Sequence, residues 1–173
     1  MAAEELNLDI VLFVPARVNP LKGFLKDVTP FQRCAMTKDA IFGNDLFEIW
    51  EKELTMPAPS YTIHTVEKLF TEFSADEWYF LIGSDNLPFF SKWHKWAELI
   101  HKVKLGVCLR PNYDMNVPEI IPNDRVAFFD GPNWGISSSM IRKRIKENKS
   151  CRYLLNENVR EFIKKNNLYK SEN

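Results

Sequence analysis

Short apolar runs alternate with stretches of helical periodicity along nearly the whole chain, and this alternation constrains the fold more than any other feature. "DIVLFVP" (Asp9–Pro15) is an apolar, β-branched run stopped by proline. "TPFQRCAMTKDAIFG" opens with Thr29 as a helix cap and Pro30 at the first helical position, and stops at Gly43. "LFEIW" (Leu46–Trp50) reads as a second strand. "SYTIHTVEKLFTEF" carries Ile63, Val66, Leu69, Phe70 and Phe73 at helical spacing, and "WYFLIG" (Trp78–Gly83) is the near-continuous apolar run of a strand buried on both faces. A helical "KWAELIHKV", strand-like "KLGVCLR" and "RVAFFD", and two closing helices over Ser137–Glu147 and Asn156–Asn166 complete the pattern. Strands separated by helices predict crossover connections, and so an α/β chain with a doubly wound parallel sheet and helices on both faces.

A length of 173 residues fits one domain with a core of its own. The 23 basic residues balance the 23 acidic ones, so no global field draws the chain to nucleic acid or to a membrane surface. Cys34, Cys108 and Cys151 are far apart, with no CxxC pair, which argues for reduced thiols and against a zinc site or a disulfide framework. No signal peptide or membrane span is visible, so the expected compartment is the cytoplasm. His64, His94 and His101 share no metal-ligand spacing and read as helix-surface residues. The sequence has no GxSxG, Walker or HExxH motif, and no Cys/His nucleophile pair. Any chemistry here would position phosphates rather than form a covalent intermediate.

Doubly wound sheets bind ligands at the carboxyl ends of their strands. That draws attention to Pro15–Lys22, Pro57–Thr62, Gly83–Asp85, Arg110 and "GISSSMIRKRI". In the last stretch, Ser137, Ser138 and Ser139 stand before a helix whose basic residues run from Arg142 to Arg152 against a single acid, Glu147. Two readings are open: a serine helix cap, or a cradle in which helix N–H groups, hydroxyls and Arg142 receive phosphate. Arg17 and Lys22 are available to an anion, Gly83 permits close approach, and Asp85 could accept from a ribose diol. Trp93 and Trp96 fall on one predicted short helix, and either could pack in the core or stack on a flat heterocycle.

Taken together and in order, "LDIVLFVPARVNPLK", "TPFQRCAM", "PSYTIHTVEKL", "YFLIGSDNLPFFSKWHKWAEL" and "ISSSMIRKRIKENKSCRYLLNENVREFIKKNNLY" resemble the bacterial nicotinate-nucleotide adenylyltransferases of the nucleotidyltransferase superfamily. The resemblance implies a Rossmann-like fold in which residues 1–173 make a single nucleotidyltransferase domain. It implies transfer of AMP from ATP to nicotinate mononucleotide, giving deamido-NAD and pyrophosphate in NAD biosynthesis. Ser60, Tyr61 and Thr62 would border the nicotinate pocket, Trp93 would stack on the pyridine, and Asp85 would hold a ribose. Ser137, Ser138, Arg142 and Gly83 would serve ATP, with Lys22 and Arg142 at the reacting phosphates. Trp96 is then assigned to the core. Mg²⁺ would be bound through ATP phosphates, with no protein metal cage. ATP and nicotinate mononucleotide are the implied partners, nucleic acid and membranes are not, and self-association is left open.

The chain also departs from the family pattern. Leu21 stands where the family has a histidine before its lysine, and Asn19 where it has a proline. Family members begin with a Gly-Gly-Thr-Phe-Asp-Pro-x-His-x-Gly-His strand and loop, whereas "MAAEELNLDIV" matches the helix after that motif. The expectation is a chain lacking the first central strand and its two histidines, poorly soluble and inactive when expressed by itself. Adenylyl transfer to nicotinamide mononucleotide or phosphopantetheine, and a catalytically dead nucleotide-binding remnant, are the alternatives.

Overall fold

The computed structural model describes residues 1–20, 23, 27–110, 117–132 and 135–170. Lys22 and Leu21 lie outside them. The described residues carry the helices α1 (Ala2–Glu5), α2 (Pro30–Ile41), α3 (Thr62–Glu72), α4 (Trp96–Lys102), α5 (Ser138–Lys146) and α6 (Glu157–Lys165). The strands are β1 (Val11–Phe13), β2 (Phe47–Ile49), β3 (Tyr79–Gly83), β4 (Lys104–Leu109) and β5 (Val126–Asp130). The pairings among these five strands are parallel, as alternation with helices requires.

The chain divides into two compact units, each assembled from separate segments. One unit is Met1–Asp9 with Ser60–Asn133; the other is Ile10–Pro59 with Trp134–Asn173. In the first, β3, β4 and β5 form a sheet in that order. The central strand β4 buries Leu105 and Val107 completely, which is why its run is the most continuously apolar. Ile63 and Val66 of α3, Phe90, and Leu99 and Ile100 of α4 complete this core. Gly106 has a structural reason: an added Cβ would meet Leu81 Cδ2 at 2.5 Å and Leu6 Cδ1 at 2.9 Å. The bare backbone there lets Leu6, just past α1, lie directly on the sheet.

In the second unit β1 and β2 form a two-stranded sheet, with Val11 opposite Phe47 and Phe13 opposite Ile49. The helix between them starts where its cap places it. The Thr29 hydroxyl accepts from Gln32 N at 3.2 Å while Thr29 N donates to the Gln32 side chain at 2.9 Å, a reciprocal capping box. Asn156 caps α6 by accepting from Asn158 N at 2.8 Å. Val159 and Ile163 of α6 meet Val28 and Leu168 in a small core, with Met36 of α2 packed against it.

One sequence expectation needs correction. Trp93 and Trp96 do not share a helix. Trp93 follows a 3-10 turn over Leu87–Lys92, Lys95 is left-handed with φ 52°, and Trp96 opens α4. Pro88 at the head of the 3-10 turn cannot donate to a continuing ladder, and the left-handed Lys95 starts the helix afresh. Phe70 of α3 is 37% exposed and packs on Trp78 with ring centroids 5.1 Å apart.

Candidate functional site

The first unit carries the residues expected to hold the mononucleotide. Ser60 follows the cis peptide Ala58–Pro59, Tyr61 is the N-cap of α3, and Thr62 is its first helical residue. The N-cap residue of α3, Tyr61, makes no side-chain capping hydrogen bond, unlike those of α2, α5 and α6. The first N–H groups of a helix have no partner within it, and they carry the positive end of its dipole. A helix entry of this kind is a donor set suited to a carboxylate or phosphate oxygen.

Aromatic contacts join this helix entry to the tryptophan segment. The Tyr61 ring stacks on His94 with centroids 4.2 Å apart and an interplanar angle of 30°. His64, one turn into α3, meets Tyr61 edge-on at 5.8 Å and His94 at 5.8 Å. His94 is covalently next to Trp93, so Ser60–Thr62 and Trp93 are brought to one place through this stack. Both histidines are exposed, as the sequence implied, but their clustering was not legible from it. They lie thirty residues apart in sequence on different elements, and no local pattern links them.

The division of labour between the tryptophans is less sharp than expected. Both are half-buried and pack against the first core. Trp93 meets Phe80 at 5.5 Å and Phe90 at 5.4 Å, whereas Trp96 meets Phe90 at 6.4 Å. Trp93 is therefore a supported ring with one side held by the core. A Trp93→Ala variant should lose some stability and raise KM for a pyridine mononucleotide well above any change in KM for ATP. Trp96→Ala should lower stability alone. Steady-state kinetics on both variants, alongside melting curves, check this; the reverse KM pattern would assign the ligand to Trp96.

At the end of β3, Gly83, Ser84 and Asp85 make a tight corner. Ser84 is buried, and its hydroxyl accepts from Arg110 N at 3.0 Å while its own N–H donates to Cys108 O at 2.9 Å. This serine thus clasps the ends of β3 and β4. Arg110 Nε lies 3.3 Å from Asp85 Oδ1, and Asn86 Nδ2 donates to the same oxygen at 3.3 Å. Both contacts fall on Oδ1. The close approach at Gly83 is made by this pair: an added Cβ would meet Asp85 Oδ1 at 2.4 Å and Arg110 Nε at 2.8 Å.

The second unit carries the residues expected to hold phosphate. Ser137 is the N-cap of α5, its hydroxyl accepting from Met140 N at 3.1 Å. The plain capping role is thus present, and it leaves the hydroxyl proton as a donor, because a serine oxygen accepts and donates at once. Ser138 is exposed in the first turn, and Arg142 Nη2 donates to Ser139 Oγ at 3.2 Å. Arg142 and Arg33 both act electrostatically on Tyr169. Burial pushes the Tyr169 phenol above its ordinary range, and the two guanidinium charges pull it back.

Arg33 also organises the loop after β1, a role that sequence reading missed. Its Nη2 donates to Ala16 O at 2.5 Å and Arg17 O at 3.1 Å, while its buried Nε has no partner. Burial pulls this guanidinium below the ordinary arginine range. Arg17 in turn donates to Met56 O at 2.9 Å, tying the loop to the segment after β2. The only sequence signal was an arginine one turn into the helix that follows a proline-bounded loop. Among the described residues no three His, Cys, Asp or Glu side chains are grouped to hold a metal, and no helix is long and apolar enough to cross a membrane.

Comparison with known proteins identifies the family. The cytidylyltransferase-like family model matches residues 1–144. The nicotinate-nucleotide adenylyltransferase of Bacillus subtilis (strain 168) is 32% identical over 96% of this chain and 86% of its own. A probable nicotinate-nucleotide adenylyltransferase of Geobacillus kaustophilus (strain HTA426) is 33% identical over 96% of this chain and 74% of its own. Among solved structures, Plasmodium falciparum nicotinic acid mononucleotide adenylyltransferase in complex with NaAD superposes with a TM-score of 0.68 at 19% identity, covering 96% of this chain and 90% of that one. The last comparison shows the fold, a Rossmann-like one. Near-complete coverage of the Bacillus enzyme narrows the family, and the chain belongs to the nicotinate-nucleotide adenylyltransferases within the cytidylyltransferase-like family.

Proposed function

We propose that this chain transfers AMP from ATP to nicotinate mononucleotide, releasing pyrophosphate and forming deamido-NAD, and that residues 1–173 act as one cytoplasmic nucleotidyltransferase domain. Membership of the family carries the reaction class. The observation on this chain that supports the substrate is the amino-terminal entry of α3 beside Trp93. It offers N–H donors for a pyridine carboxylate next to a ring that can stack on the pyridine.

A phosphate oxygen of the mononucleotide attacks the α-phosphorus of ATP. The new P–O bond forms as the bond from that phosphorus to the β-phosphate oxygen breaks, and the electron pair leaves on pyrophosphate. The nucleophile is already anionic, so no side chain has to remove a proton. The protein's task is alignment of the two phosphates and neutralisation of charge on the leaving group. Ser60–Thr62 and Trp93 hold the nicotinate end, and Asp85 Oδ2 accepts from a ribose hydroxyl. Ser137 and Ser138 hydroxyls, with Arg142, hold the triphosphate, and Lys22 stands at the reacting phosphates. Gly83 leaves room at the strand end, where Asp85 and Arg110 must adjust as nucleotide enters. Mg²⁺, held through the nucleotide rather than by a protein cage, would supply further charge neutralisation at the phosphates.

The direct test is turnover of nicotinate mononucleotide and ATP, with pyrophosphate release as readout, by this chain and by the chain carrying a family-type Gly-rich strand and His-x-Gly-His loop at its front, where turnover is expected. Arg142→Ala should weaken ATP binding by about 1.5–3 kcal/mol, the range for hydrogen bonds to a charged group. Mononucleotide binding should stay nearly unchanged. If Arg142→Ala instead unfolds the protein while folded molecules keep their ATP affinity, the arginine is structural and the triphosphate assignment fails.

A further inference from the structure

We propose that Tyr169 is a positioning residue for ATP, its hydroxyl setting the direction in which Arg142 meets the triphosphate. The inference rests on the reading of Arg142 as a triphosphate ligand, and it adds a residue from outside the binding set.

The backbone at Tyr169 does more than end a helix. After α6 the chain turns at a left-handed Asn167 with φ 52°, and Leu168 N donates back to Ile163 O at 3.1 Å. That bond closes the helix end, with Leu168 and Ile163 both buried in the small core. Nothing in this ending calls for a second left-handed residue. Tyr169 nonetheless takes φ 60°, a conformation that glycine and asparagine adopt readily and a bulky ring residue does not. Strain of this kind persists only where the surroundings hold it in place. Its result is that the Tyr169 ring turns back onto the core and is half-buried, whereas Asn167 and Lys170 are exposed.

That core leads to two arginines. Met36 and Ile145 pack against it together with Tyr169. Met36 lies three residues after Arg33 on α2, and Ile145 three after Arg142 on α5, so each shares a helix face with its arginine. Electrostatics agree with this placement. Burial pushes the Tyr169 phenol up, Arg142 is the foremost charge acting against that rise, Arg33 follows, and Asp27 opposes both. A phenol hydroxyl accepts and donates at once, so it can receive a guanidinium N–H while remaining neutral.

Arg142 is short of other groups to direct it. Among the described residues its side chain bonds to Ser139 Oγ alone, at 3.2 Å. Glu147, the single acid of the basic run, is engaged by Lys149 at 2.8 Å and Lys143 at 3.9 Å. A carboxylate beside Arg142 would cancel the charge a triphosphate requires; a phenol orients the guanidinium and leaves that charge intact. An arginine already held in its bound direction gives up less side-chain freedom when the ligand arrives.

The test measures ATP affinity by calorimetry, in both chains of the turnover test, for wild type, Tyr169→Phe, Arg142→Ala and the double variant, with melting curves for each. Tyr169→Phe keeps the ring in the core, so it should melt close to wild type. It should still bind ATP about tenfold more weakly, the lower end for a lost hydrogen bond to a charged group. Its affinity for nicotinate mononucleotide should not change. In the Arg142→Ala background the same substitution should cost less than about twofold further, because it acts through that arginine. Equal losses in both backgrounds overturn the proposal, by showing that Tyr169 does not work through Arg142. Unchanged ATP affinity in Tyr169→Phe, with Arg142→Ala still impaired, overturns it alone and leaves the triphosphate reading standing. Wild type that binds no ATP in either chain, or Arg142→Ala that binds it as wild type does, removes that reading and this proposal with it.

Discussion

Phe90→Ala is expected to cost about 3–5 kcal/mol of stability, the range for truncating a fully buried phenylalanine. Total stabilities of domains this size run to about 5–15 kcal/mol, so the variant should lie near the edge of folding. Phe90 has no exposed surface and sits in the core between α3, α4 and β4. It is also the ring shared by both tryptophans, at 5.4 Å from Trp93 and 6.4 Å from Trp96. Removing it opens a cavity beneath Trp93, so folded molecules should also bind the mononucleotide less tightly. Phe89, its neighbour, is 53% exposed and touches only the Lys92 ammonium among the ring contacts described, so Phe89→Ala should change stability by about 1 kcal/mol or less. Urea titrations of the two variants decide the matter, and equal midpoints would show that the 3-10 turn does not anchor this core.

Arg33→Met should be the most damaging substitution in the second unit that leaves every proposed ligand contact in place. Two carbonyl groups, Ala16 O and Arg17 O, lose a charged donor. Each such bond contributes about 1.5–3 kcal/mol, and the unpaired, desolvated Nε offsets part of the loss, for a net cost of about 2–4 kcal/mol. The loop those carbonyls belong to leads toward Lys22, which the proposed mechanism puts at the reacting phosphates. Displacing a reacting group by about 1 Å can cost about 10²-fold in rate, so kcat should fall by that order with a smaller change in KM. Arg33→Lys should not restore it, because a single ammonium on a flexible stem does not reproduce the guanidinium fork. Near-normal kcat in Arg33→Met would show that the loop after β1 holds its shape without this clamp.

Some of these elements were plain in the sequence because their causes are local. Thr29, Pro30 and Gln32 specify the start of α2 within four residues, and Ser137 and Asn156 do the same for α5 and α6. Ile63, Val66 and Leu69 announce the buried stripe of α3 through spacing alone. The features that escaped are those set by distant partners. Nothing near Phe70 distinguishes it from Leu69, yet one faces the core and the other faces Trp78. Nothing near Gly83 says that the Asp85–Arg110 pair will fold across it. Trp93 and Trp96 have the three-residue spacing of one helical turn, and only Pro88 together with the left-handed backbone at Lys95 separates them. The Tyr61, His64 and His94 cluster needs two elements to come together before it exists. Arg33 belongs to the same class, since its partners are carbonyls sixteen and seventeen residues away.

The interleaved segments have a consequence for how the chain reaches this structure. It passes between the two units after Asp9, after Pro59 and again near residue 133. Neither unit can therefore be released by one cut, and neither is complete when the first half of the polypeptide has been made. Val28 and Met36 emerge early from the ribosome, but the Val159, Ile163 and Leu168 side chains that cover them arrive more than a hundred residues later. During that interval the β1–α2–β2 segment carries an open apolar face, while the first unit can already close around β3, β4 and β5. Order of synthesis and order of completion are thus reversed: the unit whose strands come first is finished last, when α6 docks on α2.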